Sequence, residues 1–172
     1  MDLRNPLLDG VGWLERMALP HLIISGIILV IHPTLYSASQ TLHQAMQVHG
    51  DCRPYIGAWN VPFNVVNVIT NRRAPAHYDA SSSLYVPDLL ISLGGDRSTN
   101  IRLQELGAEL RYTGGTFCAF SGSHIKHAVA VCPAERVCYA YYPRYGCYAL
   151  YNIEPPSYQV YDTLLAELAS CT

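Results

Sequence analysis

Lysine is almost absent from this chain: ten of its eleven basic residues are arginine, and Lys126 is the exception. Charge is scarce altogether, at 14% of 172 residues and a net −2, which argues against a strong global field for nucleic acid. Half of the residues are hydrophobic, so a folded chain is expected rather than a disordered one. The six cysteines (52, 118, 132, 138, 147 and 171) form no CxxC pair and no zinc-ribbon spacing. A disulfide framework is disfavoured in a chain this hydrophobic, and free thiols in a reducing, intracellular compartment are the simplest account. No secretory signal opens the sequence. The apolar run from Leu22 to Ile31 is too short to span a bilayer and is bracketed by His21 and His32, so no membrane partner is expected and the run reads as buried strand.

What is present favours a β-rich α+β domain. Tyrosine is abundant, at 13 residues, and residues 1–172 suffice for one domain with a proper core. Residues 1–50 read as N-terminal strand and helix support, and 54–150 as the β core. Pro20 to Ile31 suggests one or two strands broken near Ser25-Gly26. Pro33 suits a first helical turn, and Leu35, Ala38, Leu42 and Ala45/Met46 follow helical spacing, so Pro33 to Val48 is predicted to be an amphipathic helix ending near Gly50. Beyond it, short strand-like pieces recur: Asn64–Thr70, Leu84–Leu93, Ile101–Leu103, Glu109–Tyr112, Thr116–Ser121, Ala128–Val131 and Val137–Tyr142. Gly94-Gly95, Gly107, Gly114-Gly115, Gly122 and Pro133 punctuate them, the pattern of a sandwich or jelly-roll barrel. A short helix is predicted over Asp162–Ala169, with Leu164, Leu165 and Leu168 on one side.

Basic charge is concentrated where those strands lie. From Arg53 to Arg144 there are nine Lys/Arg against six Asp/Glu, so this segment is +3 and the remainder −5. Within it, His77 and Asp79 are spaced i, i+2, which on an extended backbone puts both side chains on one face. A third ligand must come from a neighbouring strand. His127 is the best placed, with His124 the runner-up. Two imidazoles and one carboxylate suit an octahedral ferrous ion with open positions for a co-substrate and O2. Arg136 follows nine residues after His127, and its guanidinium would pair bidentately with the far carboxylate of a 2-oxoacid. The competing reading of Arg136 is a surface ion pair with Glu135. Alternation puts Arg136, Cys138, Ala140 and Tyr142 on one face, and the His127 and Arg136 strands are expected to be antiparallel neighbours joined at Cys132-Pro133. His21, His32, His43 and His49 fit no ligand geometry and read as structural or exposed.

These pieces, in order, resemble the fungal TET/JBP-like 2-oxoglutarate/Fe(II)-dependent dioxygenase domains. FNVVNVITNRRAPAHYD resembles the strand entering that family's HxD, and YVPDLLISLGG its next strand. LQELGAELRYTGGTFCAFSGSHIKHAV resembles the segment carrying the distal histidine, ERVCYAYYPR the strand with the co-substrate arginine, and VIHPTLYSASQTL an upstream helix. The family commonly has arginine between the two HxD ligands, where this chain has Tyr78, which alternation turns away from the metal. The resemblance implies a double-stranded β-helix with flanking helices. It implies Fe(II) held by His77, Asp79 and His127, and 2-oxoglutarate held by the metal and Arg136. It further implies oxidation of the methyl group of a modified base, typically 5-methylcytosine in DNA, which would place the protein in the nucleus. Arg72 and Arg73 are then candidates for phosphate contact, and Asn67 for contact with base or co-substrate. Tyr139, Tyr141 and Tyr142 offer a stacking face if they are not core. Two other readings stay open: an oxygenase of this architecture acting on a small molecule or protein side chain, and a non-catalytic β-barrel binding domain. The oligomeric state is not legible.

Overall fold

A computed structural model describes residues 9–49 and 51–170. They divide into two compact units. One comprises the segment up to Asn64 together with the segment from Tyr145 onward, and the other spans Val65–Arg144.

The first unit is helical: α1 (Gly10–Arg16), α2 (Ala18–Ile31), α3 (Pro33–Gln47), α4 (Arg53–Ile56), α5 (Tyr145–Leu150) and α6 (Tyr161–Ser170). The strand expected over Pro20–Ile31 is the greater part of α2. Its β-branched run reads locally as strand, but burial follows helical spacing, with His21, Ile24 and Ile28 enclosed. Packing of one face overrides weak local propensity. The opposite face, including Leu19, Leu22 and Val30, is exposed, so the run is not a fully buried one either. Among the described residues no single helix is long and apolar enough to cross a membrane; α1 and α2 reach that length only together, and they are bent by 63° where they meet.

Helix α3 begins as predicted, with Pro33 in its first turn and the His32 Nδ1 accepting the Leu35 N–H at 3.2 Å. It buries Leu35, Ser39, Leu42 and His43, one face at helical spacing. The Ser39 hydroxyl donates to the Pro62 carbonyl at 2.8 Å and lies 3.0 Å from the Tyr148 hydroxyl, tying α5 to α3. Gly50, the expected helix stop, and Cys171 lie outside the described residues; the other five cysteines are free thiols. The predicted C-terminal helix is present as α6, with Leu165 exposed rather than packed.

The second unit is all strand: β1 (Val65–Thr70), β2 (Ala74–His77), β3 (Asp88–Gly94), β4 (Asn100–Leu103), β5 (Ala108–Arg111), β6 (Phe117–Phe120), β7 (His127–Val129) and β8 (Arg136–Tyr142). They form two antiparallel four-stranded sheets, ordered β1-β8-β3-β6 and β2-β7-β4-β5. Successive strands crossing between two sheets give the double-stranded β-helix. Strand β7 therefore pairs with β2 and β4, whereas β8 pairs with β1 and β3. The expectation that the His127 and Arg136 strands are neighbours is corrected: the Cys132-Pro133 connection changes sheets, and the two residues approach from opposite walls. Gly94 ends β3 with φ +74°, where a Cβ would lie 2.4 Å from the Glu135 carbonyl oxygen, so only glycine admits β8 this close. Strand β3 starts at Asp88, four residues later than predicted, because the Ser83 hydroxyl accepts the Tyr85 and Val86 N–H groups and holds a turn before Pro87. Between the sheets lie Leu90, Ile101, Leu103, Tyr112, Phe120, Val129 and Cys138.

Candidate metal centre

Register assembles the site. His77 ends β2, His127 opens β7, and the two are direct partners across that ladder, their rings 4.4 Å apart. Asp79 lies two residues beyond β2. Its Oδ1 is 3.3 Å from the His77 Nε2 and its Oδ2 is 3.4 Å from the His127 Nε2. One ligand atom from each of the three residues falls within 4.8 Å of the others. The histidine at 127 is the one brought in; His124 bonds the Ser121 hydroxyl at 2.9 Å and is not in the cluster.

Each imidazole is fixed from behind. The His77 Nδ1 lies 2.7 Å from the Pro75 carbonyl oxygen, and the His127 Nδ1 lies 3.0 Å from that of Ile125. A carbonyl can only accept, so both Nδ1 atoms carry the proton, and in neutral rings both Nε2 atoms present lone pairs. Two lone pairs and a carboxylate aimed at one point repel unless a cation or added protons intervene. Backbone-anchored imidazoles of this kind are the usual support of a metal site. The His127 ring also packs edge-on against Phe120 at 4.9 Å. Its side chain is 6% exposed, against 36% for Asp79, so the site is closed on the β7 side and open on the other.

Arg136 opens β8 at 5% exposure. Its main-chain N–H donates to the Asn71 side-chain oxygen at 2.7 Å, and its Nη2 reaches the Arg72 carbonyl at 3.4 Å. The Nη1 has no hydrogen-bond partner among the described residues, so the surface pairing with Glu135 is not what holds it. The guanidinium carbon sits 5.4 Å over the Tyr112 ring, a cation–π arrangement. The Tyr112 hydroxyl meets the Cys138 Sγ at 3.2 Å, and burial pushes both groups' pKa values up. The sequence reading missed Tyr112; a tyrosine among strand residues carries no local sign that a cation will lie over it.

A cavity of about 150 Å³ joins these groups. The three clustered side chains, Arg136, Tyr112 and Cys138 line it, along with Asn67 and Arg72. Arg73 does not. It borders a separate groove on the outer face of the β2-β7-β4-β5 sheet, floored by Ala76, Ala128 and Ala130. Tyr78 is absent from the cavity lining and donates to Glu105 at 2.6 Å instead. Tyr141 is fully buried and, like Tyr139 and Tyr142, does not line the cavity, so none of the three offers a stacking face there.

The donor set fits iron, and a buried guanidinium whose Nη1 is unpartnered, in the same cavity, fits an acidic co-substrate. Residues 14–145 match the family profile Tet_JBP, described as the oxygenase domain of the 2OGFeDO superfamily. No curated protein sequence matches the chain. Among solved structures, NgTET1 in complex with 5mC DNA superposes with a TM-score of 0.61 at 16% identity, covering 98% of this chain. The chain spans 62% of the length of that one, less than two thirds. The family match extends over most of the sequence and contains both sheets and all three clustered residues: the chain belongs to the Tet_JBP oxygenase family, whose superfamily uses Fe(II) and 2-oxoglutarate.

Proposed function

We propose that this protein is an Fe(II)- and 2-oxoglutarate-dependent dioxygenase that oxidises the methyl group of 5-methylcytosine in DNA, of the kind found in fungi. The observation that carries the oxygenase reading is the buried, half-partnered Arg136 guanidinium sharing one cavity with the His77–Asp79–His127 cluster. His77, Asp79 and His127 hold the iron, and Arg136 grips the far carboxylate of 2-oxoglutarate. When bound, iron and co-substrate supply the hard chemistry: O2 and 2-oxoglutarate are consumed, CO2 and succinate leave, and one oxygen atom enters the substrate C–H bond.

The chain's own residues bind and orient. The Nδ1–H bonds to Pro75 and Ile125 keep both Nε2 atoms forward. Tyr112 supports the guanidinium from below, and Leu90, Val129 and Ala140 keep the cavity wall apolar. Asn67 presents an amide able both to donate and to accept, suited to a base edge. A base within a duplex must be flipped out to reach this cavity. Support for DNA comes from the likeness to a structure that holds 5mC DNA, from Arg72 at the cavity, and from the +3 segment around it. The whole chain then acts as one dioxygenase domain, inside the cell and in the nucleus.

The near-neutral net charge and the placement of Arg73 away from the cavity favour a second reading, an oxygenase of the same fold acting on a small molecule or protein side chain. Incubation with Fe(II), 2-oxoglutarate and methylated oligonucleotides, followed by nucleoside mass spectrometry, separates them. Oxidised 5-methylcytosine supports the first reading. Succinate release without any nucleoside product supports the second, and no succinate under any condition sinks both.

A further inference from the structure

We propose that Asp88 is a positioning residue for Asp79, acting through the peptide of Gly122; this rests on reading Asp79 as a metal ligand. The three clustered residues are not held alike. His77 and His127 belong to a strand ladder and have their Nδ1 atoms anchored. Asp79 lies beyond the end of β2, where no ladder constrains it.

A relay through Asp88 takes the ladder's place. The Asp79 N–H donates to the Gly122 carbonyl at 2.8 Å, and the Asp79 carbonyl accepts the Ser82 N–H at 3.1 Å. Asp88, the first residue of β3, holds both of those neighbours. Its Oδ2 accepts the Gly122 N–H at 3.1 Å, and its carboxyl is hydrogen-bonded by the Ser82 side chain. Both main-chain polar groups of Asp79 are thus bonded to residues that Asp88 fixes.

Gly122 is the point where the two carboxylates meet. A Cβ there would lie 2.6 Å from the Asp79 Oδ2 and 2.8 Å from the Asp88 Oδ2, so both side chains pack against its bare Cα. Asp88 is 4% exposed, and its Oδ1 has no hydrogen-bond partner among the described residues. Burying a carboxyl this deeply is costly, and a turn that only needed filling would be better served by an apolar residue. What an apolar residue lacks is an acceptor for the Gly122 N–H.

The test is a titration of the metal-stripped protein, residues 1–172, with Co(II) alone, followed by calorimetry and visible absorption, with melting temperatures measured in parallel. His127→Ala must weaken Co(II) binding; wild-type affinity there overturns the ligand reading and this proposal with it. Given that loss, Asp88→Ala is expected to raise the Co(II) Kd about 10–100-fold, the usual effect of removing a support behind a metal ligand. Asp88→Asn, which keeps an acceptor oxygen, is expected to bind near wild type. Gly122→Ala is expected to weaken binding as Asp88→Ala does. Leu89→Ala, a buried neighbour on β3 outside the cavity lining, is expected to lower the melting temperature and leave the Kd unchanged. An unchanged Kd in Asp88→Ala, an Asn variant as weak as the Ala variant, or an equal loss in Leu89→Ala would each overturn the positioning role while leaving the ligand reading intact.

Discussion

The helical and the sheet units both bury a nitrogen without a hydrogen-bond partner, and they cope with it differently. In the helical unit His43 is 7% exposed with its Nε2 unpartnered, and burial lowers its pKa to about 4, so the ring is neutral at pH 7. In the sheet unit Arg136 is buried as deeply, with its Nη1 unpartnered, but a guanidinium cannot shed its charge. An imidazole resolves its own burial by losing a proton. A guanidinium needs an anion brought to it. An unpartnered buried atom therefore points to a ligand only where the group has no titration to fall back on, and by that standard the sheet unit has a binding site and His43 does not mark one.

The largest effect expected from breaking this contrast follows loss of the clustered side chains. His77→Ala or Asp79→Ala should abolish Fe(II)-dependent succinate release, leaving circular dichroism and melting behaviour close to wild type, because both side chains are more than a third exposed. Full turnover in both variants would return the sheet unit to an ordinary barrel. Next in size is the guanidinium itself. Arg136→Lys loses the two-pronged grip, so the KM for 2-oxoglutarate should rise about 10–150-fold, the span set by about 1.5–3 kcal/mol for a charged hydrogen bond. Arg136→Met should remove co-substrate binding and at the same time raise the ligand-free melting temperature by a few degrees, since a buried charge that only a carbonyl and a ring partly offset is gone. A fall in melting temperature would mean that the charge is satisfied within the fold.

The matching perturbation of the helical unit is milder and depends on pH. A folded pKa near 4 against an ordinary 6.5 means that the unfolded chain binds more protons between those values. The stability His43 confers is thus complete above about pH 6.5 and is lost as pH falls through about 4. His43→Leu should melt with a shallower decline than wild type between pH 7 and 4, and parallel curves would remove the contrast. The smallest effect concerns the arginine pair. Arg72→Ala should weaken DNA binding and reduce its salt slope by about 1, whereas Arg73→Ala, on the outer groove, should change neither. Equal effects would extend the DNA footprint around the sheet edge.

What could be read from the sequence divides along the same boundary. Most strands of the sheet unit were legible because their alternation and glycine punctuation are local: five of the seven predicted pieces match strands to within a residue or two at each end. Ala128–Val131 shares only Ala128 and Val129 with β7, and Leu84–Leu93 starts late because of the Ser83 turn. Strand β2, four residues of Ala-Pro-Ala-His with no alternation, was in none of the pieces. The i, i+2 spacing of His77 and Asp79 and the later His127 were enough to name a cluster. Which strands pair was not legible, since β7 and β8 are consecutive yet fall in different sheets, and register is a long-range property. Helix α2 was misread because Ile-Ile-Ser-Gly-Ile-Ile-Leu-Val-Ile carries strand propensity, and only the burial of His21, Ile24 and Ile28 reveals the helical face. The Asp88–Gly122 relay left no trace, because nothing in YVPDLL or FSGSH shows that the two will meet.

The central claim is that one iron sits among His77, Asp79 and His127 with a diacid held behind it by Arg136. Anaerobic calorimetric titration, Fe(II) first and 2-oxoglutarate second, tests it most directly. The prediction is one Fe(II) per chain in wild type, none in His127→Ala, and in Arg136→Met an Fe(II) that binds normally but is no longer followed by 2-oxoglutarate. Fe(II) bound equally well by His127→Ala, or 2-oxoglutarate bound equally well by Arg136→Met, would contradict it.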